Sequence, residues 1–202
     1  PAQPYLARIA AAKSSNDLMD LFAAPGFAAP LGIGVSADDK DSSRYALGMG
    51  QAGLGLPDRD YYLVDSPRNL EIRAKYLDFL AFLLGKAGNA DARGAAQAVL
   101  KLETDLAAAM WDRTISRNPD LTYNKLTLGE LSALSPTARL LLDKSGAGAA
   151  SYVLVSQLTP TAEEVAAAKL APEQLAKLGG GVAATAKPWL CAVISTRPVC
   201  LS

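Results

Sequence analysis

Histidine is absent from the 202 residues. That absence removes the Ser-His-Asp triad, the Cys-His dyad and any His-ligated zinc site from the chemistry this chain can perform alone. Cysteine is nearly as scarce. The two present, Cys191 and Cys200, form no C-x-x-C pair. They can bridge in an oxidising compartment or stay as free thiols. An excess of charge of either sign is also missing, since 20 basic residues balance 20 acidic ones. A nucleic-acid binder carries a basic face and usually a basic isoelectric point, so no nucleic-acid partner is expected. No apolar run reaches the roughly 18 residues that a membrane-spanning helix needs, so no transmembrane segment is expected. The N-terminal stretch has Arg8 inside a helical pattern, not the basic start and apolar block of a signal peptide. The chain opens on Pro1 rather than Met, as a processed chain or a piece of a longer one would.

What is present favours helices. Half the residues are hydrophobic and only 6% are aromatic, so the apolar half is mostly Ala, Leu and Val. Leu6, Ile9 and Ala10 recur at helical spacing, and Ser14 or Ser15 caps a second helix holding Leu18, Leu21 and Phe22. Leu31, Ile33 and Val35 then alternate with small residues, and Tyr45, Leu47 and Met49 do the same beyond a polar tip at Asp38, Asp39, Lys40 and Asp41. This predicts a β-hairpin with a solvated tip.

A glycine- and proline-punctuated loop covers 50–65. A long helix follows from Pro67 to Lys86, capped by Ser66, with two adjacent apolar stripes that predict packing on more than one side. A second long helix is expected over 89–117, antiparallel to the first because the link is short. Thr127 and Glu130 form a capping box for a short helix ending at Leu134, residues 152–155 read as a buried strand, and 161–178 as a helix. No internal repeat of about 20–50 residues is visible. The predicted fold is mainly α: a helical scaffold with a long antiparallel helix pair and a small β-hairpin.

The search for chemistry returns little. Glu103 and Asp105 lie two apart on a helix and point to different faces. The glycines at 48–55 match no phosphate-binding spacing. The most unusual run is Pro57-Asp58-Arg59-Asp60-Tyr61-Tyr62. It reads as an ion-paired corner, in which Arg59 meets Asp58, Asp60 or a more distant carboxylate, or as a clamp for a substrate carboxylate; the turn glycines beside it favour the corner. Trp111 and Arg113, two apart, are expected to meet different neighbours. Asn124 holds either a substrate backbone or a turn, with the turn preferred.

Several ordered motifs carry a resemblance. The run Gly50-Gln51-Ala52-Gly53-Leu54-Gly55-Leu56-Pro57-Asp58-Arg59-Asp60-Tyr61-Tyr62-Leu63 resembles a hallmark of the neprilysin-like zinc metallopeptidases, peptidase family M13. Asp39 to Tyr45 is similar to the segment before it. Leu102-Glu103-Thr104 with Trp111 and Arg113, then Tyr123-Asn124-Lys125-Leu126-Thr127-Leu128-Gly129-Glu130-Leu131, then Ser151 to Val155, follow in the family's order.

The resemblance implies that residues 1–157 belong to the family's mostly helical N-terminal region, that 158–181 are a divergent helical segment, and that 182–202 are an unrelated or disordered tail. It implies a fragment of a zinc-dependent metalloendopeptidase that supplies the lid and scaffold. The family's zinc is held by a His-Glu-x-x-His helix and a later Glu. No residue here can take those roles, so no catalytic residue, metal ligand or cofactor is assigned to this chain, and it is expected to be inactive alone. The implied partners are the catalytic domain of the same peptidase and, in the whole enzyme, peptide substrates. The implied location is extracytoplasmic. The motif residues Gly53, Gly55, Pro57, Asp58, Arg59, Asp60, Tyr61, Tyr62, Trp111, Arg113, Tyr123 and Asn124 are expected to be structural. The alternative reading is a non-catalytic helical module that binds peptides or a protein partner.

Overall fold

The computed structural model describes residues 2–158 and, beyond them, 163, 166, 168–170 and 172–177. The fold is mainly α with a small mixed sheet. Two short helices open it, α1 (Gln3–Ala11) and α2 (Ser15–Ala23). Ser14 caps α2 through a capping box with Asp17. The expected hairpin is β1 (Leu31–Asp38) and β2 (Asp41–Gln51), antiparallel, with Ile33 opposite Met49 and Val35 opposite Leu47.

The hairpin is half of a four-stranded sheet in the order β1-β2-β4-β3. The expected strand near 152–155 is β4 (Val153–Val155), which runs parallel to β2. Its other neighbour is β3 (Asn124–Leu126), antiparallel, three residues too short to show a period in the sequence. The odd-numbered face of the hairpin packs on helices. Leu31, Met49, Val153 and Val155 meet Met19 of α2, Leu131 of α7 (Leu128–Leu134) and Ala138, Leu141 and Leu142 of α8 (Pro136–Lys144). The α7 capping box is present as expected. Helix α8 was not expected, although Ser135 at its cap, Pro136 at its first position and the spacing of Ala138, Leu141 and Leu142 signal it.

The long pair is α4 (Pro67–Lys86) and α5 (Ala92–Ala109). They run antiparallel. Gly85 lies near Ala92 at one end, Arg93 pairs with Asp78, and Tyr76 meets Glu103 further along. Two expectations need correction here. First, α5 does not reach residue 117. It ends at Ala109 because the side chain of Gln51 takes both the N–H and the carbonyl of Trp111, at 3.0 and 3.1 Å. The backbone there is bonded across to β2 and not along a helix; a short 3₁₀ turn (Ile115–Arg117) and α6 (Pro119–Thr122) follow.

Second, α4 is not packed on two sides among the described residues. It has no buried residue, and Leu70, Phe79, Phe82 and Leu83 are each about half exposed. Leu77 and Leu84 are half-buried, so the exposed apolar residues of α4 are Leu70, Phe79, Phe82 and Leu83.

The segment expected as one helix over 161–178 is interrupted. The chain turns at Ala168–Lys169, where Lys169 has a positive φ of 48°, and α9 (Pro172–Lys177) starts afresh. Proline lacks the N–H a continuing helix would use. Residues 182–202, with Cys191 and Cys200, lie outside the described residues.

Candidate functional site

The motif run forms a corner between the hairpin and the helix pair, and its geometry rests on one buried carboxylate. Glu103, on the inner face of α5, is buried. The hydroxyl of Tyr62, itself 2% exposed, donates to its Oε2 at 2.8 Å, and the hydroxyl of Tyr76 donates to Oε1 at 3.0 Å. Tyr62 Oη also accepts the N–H of Leu56 at 2.8 Å, which ties the loop to the same point. Burial pushes both phenols upward, and the Glu103 charge adds to it; Tyr76 reaches about 12 and Tyr62 shifts further in the same direction. Both therefore remain protonated donors at neutral pH. Gly55 is fixed by this cluster, since a Cβ there would lie 1.9 Å from Tyr76 Oη. Asp105, as expected, faces away and pairs with Lys101.

In front of this cluster lies a cleft of about 310 Å³. The loop contributes Gln51, Gly53, Pro57, Asp58 and Arg59, and the turn after α5 contributes Trp111, Arg113 and Arg117. The Asp58 carboxylate accepts from Arg113 Nη2 at 2.5 Å. Its other oxygen accepts the N–H of Asp60 at 2.9 Å and so starts the short helix α3 (Asp60–Leu63). Trp111 packs with Ile115 and Leu121 in a small second core. Trp111 and Arg113 thus meet different neighbours, as their spacing implies. Tyr61 and Tyr62 lie on α3 behind the cleft; Arg73 of α4 holds that helix by donating to the Tyr62 carbonyl and pairing with Asp65.

Tyr123 and Asn124 stand apart from the cleft. Asn124 Nδ2 donates to the carbonyls of Leu121 and Val155, at 2.8 and 2.9 Å, and ties β3 to its surroundings. Tyr123 closes a second carboxylate cluster that corrects the solvated-tip expectation. Asp39 and Asp41 are exposed, but Asp38 is 2% exposed. It accepts from Tyr123 Oη at 2.9 Å, Tyr152 Oη at 2.8 Å and the N–H of Lys40 at 2.9 Å. Lys40 and Lys125 lie over the two phenol rings, 4.3 and 4.0 Å from their centres.

The Lys40 N–H, followed by the Tyr152 hydroxyl, holds the Asp38 carboxyl below its ordinary value. A lowered carboxylate contributes stability above its unfolded pKa, near 3.9, and loses it as pH falls through the folded value. Asp38→Asn is therefore expected to lower the melting temperature at pH 7 and to flatten its fall on the acid side. Thermal melts between about pH 2 and pH 6 check this; an acid limb as steep as the parent's would show that Asp38 does not contribute.

Among the described residues no group of three or more His, Cys, Asp or Glu side chains is placed to bind a metal, and the one buried carboxylate of the corner is engaged by two phenols. Of the residues the sequence singled out, Gly53, Pro57, Asp58, Arg59, Trp111 and Arg113 line one cleft. Gln51 and Arg117, which also line it, were not singled out as site residues; Gln51 stands only as a member of the hallmark run. Glu103 was noted for its orientation, but its two phenol partners lie 41 and 27 residues away and no local pattern shows them.

Known proteins resemble this chain in sequence and fold. The N-terminal model of Peptidase family M13 matches residues 1–177. Endothelin-converting enzyme 1 of Cavia porcellus is 38% identical over 110 residues, 53% of this chain and 14% of the relative. Endothelin-converting enzyme-like 1 of Homo sapiens is 36% identical over 118 residues, 55% and 15% respectively. The zinc metalloprotease Zmp1 of Mycobacterium tuberculosis, in its open state, superposes with a TM-score of 0.66 at 30% identity, covering 77% of this chain and 26% of that one. PepO from Lactobacillus rhamnosis HN001 shares the fold, with a TM-score of 0.62 at 18% identity. The chain thus spans about a seventh of the curated relatives it matches. With the family model matched over residues 1–177, the chain belongs to peptidase family M13 and carries sequence of that family's N-terminal region.

Proposed function

We propose that this chain supplies the helical lid and scaffold of a zinc-dependent metalloendopeptidase and has no catalytic zinc site of its own. The observation that carries the reading is the family match over residues 1–177 in a chain without a single histidine. A His-Glu-x-x-His helix binds zinc from one face while its Glu activates water, and the residues present do not fit that metal. The chain's contribution is positional. The Glu103–Tyr62–Tyr76 cluster fixes the corner, and the corner fixes the cleft between the sheet and the helix pair. Its partner in this reading is the catalytic domain of the same peptidase, peptides are the substrates of the whole enzyme, and the setting is extracytoplasmic. Residues 1–157 are the scaffold proper, with 158–181 a more divergent helical stretch and 182–202 a tail outside the family pattern.

The purified chain, supplied with zinc, is expected to hydrolyse no peptide and to retain no stoichiometric metal after desalting. Fluorogenic peptide assays and elemental analysis test both. Chelator-sensitive hydrolysis that co-elutes with the pure chain would overturn the reading.

A further inference from the structure

The sheet ends on β1, and the direction of its unpaired backbone groups follows from two bonds. Ala52 N donates to Pro30 O at 3.1 Å, so the pair just beyond the end of the hairpin ladder is bonded across it. Bonded and non-bonded pairs alternate in an antiparallel ladder. Gly32, Gly34 and Ser36 therefore bond to β2, while Ile33 and Val35 turn their N–H and carbonyl groups outward. Met49, opposite Ile33, agrees: its carbonyl accepts from Ser156 N at 2.9 Å, away from β1. Among the described residues no strand pairs with this outer edge.

Among the described residues the edge is also unprotected. Sheet edges are ordinarily blunted with lysine, proline or a cover, yet residues 31–37 carry no charge and no proline. Val35 is 69% exposed, and a Cβ added at Gly34 would meet nothing within 4 Å. A groove of about 640 Å³ adjoins the edge, lined by Phe22, Phe27, Ile33, Val35 and, from β2, Leu47.

We infer that the outer edge of β1 binds an extended, apolar peptide segment as a fifth strand, with alternate side chains seated in the groove beside α2. A backbone running alongside can replace the water on the outward groups of Ile33 and Val35 with a ladder of hydrogen bonds, and the uncharged apolar walls select the side chains. A second copy of the chain is a poorer occupant. Eight residues of strand span about 26 Å, and pairing along that single edge buries well short of the roughly 1,200–2,000 Å² of a stable interface. A short peptide buries itself in the groove instead. The inference stands on the backbone of this chain and needs no zinc and no catalytic half.

The test uses the full 202-residue chain and a dye-labelled, acetylated and amidated peptide of alternating Leu and Thr, followed by fluorescence anisotropy. Saturable binding is expected. Val35→Pro removes an outward N–H but no hairpin bond, so it should weaken binding at least tenfold while the melting temperature stays close to the parent's. Methylating the peptide nitrogens tests the same contact from the other side. One alternating set should abolish binding and the other should be tolerated, whether or not the proline variant folds. No binding, or binding indifferent to which set is methylated, would overturn the proposal. So would a dimer in light scattering that Val35→Pro dissolves and the peptide does not compete with, which would give the edge to a second copy.

Discussion

Tyr62→Ala is expected to destabilise the chain by about 3–5 kcal/mol, the range for removing a fully buried aromatic side chain, and Tyr62→Phe by about 1–3 kcal/mol. The two numbers separate packing from bonding. Tyr62 is 2% exposed and sits where α3, α4 and α5 meet. Its truncation leaves a cavity bounded by helices that cannot collapse into it. Tyr62→Phe keeps the ring and removes one oxygen. That oxygen donates to Glu103 at 2.8 Å and accepts from Leu56 N at 2.8 Å. Its loss strands an acceptor and a backbone donor, and a buried group left unpaired costs more than a hydrogen bond contributes net. Tyr76 still holds the other Glu103 oxygen, which keeps the phenylalanine variant folded. Urea titration with matched slopes measures both changes. A Tyr62→Phe midpoint equal to the parent's would show that the carboxylate cluster does not hold the corner.

The contrast between what the sequence shows and what it hides follows sequence distance. Elements fixed by neighbours were legible: the Ser66 and Thr127 caps, and the alternation of β1 and β2. So was the family, because its hallmark is a contiguous run. Long-range contacts were not. Gln51 ends α5 from 60 residues away by bonding Trp111 at both backbone groups, so a pattern that continues helical past Met110 is overruled. Asp38 looks like one of three acids on a polar tip until Tyr123 and Tyr152, 85 and 114 residues later, close over it. Most residues of the candidate cleft are visible in the motif, but their pairing is not. Asp58 precedes Arg59 in sequence and bonds Arg113, 55 residues on.

Gly53→Ala is expected to be costly, and Gly34→Ala to be nearly neutral. Gly53 has φ of +87°, a conformation that costs an L-residue about 1–2 kcal/mol before any contact is considered. The contact adds to it. A Cβ at Gly53 would lie 2.8 Å from the carbonyl oxygen of Ala29 and 3.0 Å from Cα of Pro30. These are backbone atoms of the segment entering β1, and they are held in place because Pro30 O accepts from Ala52 N. Neither side can yield without moving the cleft wall or the hairpin register. The expected loss is about 2–4 kcal/mol, strain and displacement together. At about 2–4 °C per kcal/mol for a chain of this size, the melting temperature should fall by about 4–16 °C. Gly34 lies on an open strand where an added Cβ would meet nothing within 4 Å, so it is the control for a generic glycine effect. Equal melting temperatures for the two variants would mean that the loop at Gly53 adapts freely, and a rigid cleft wall could then not be the corner's contribution to the scaffold.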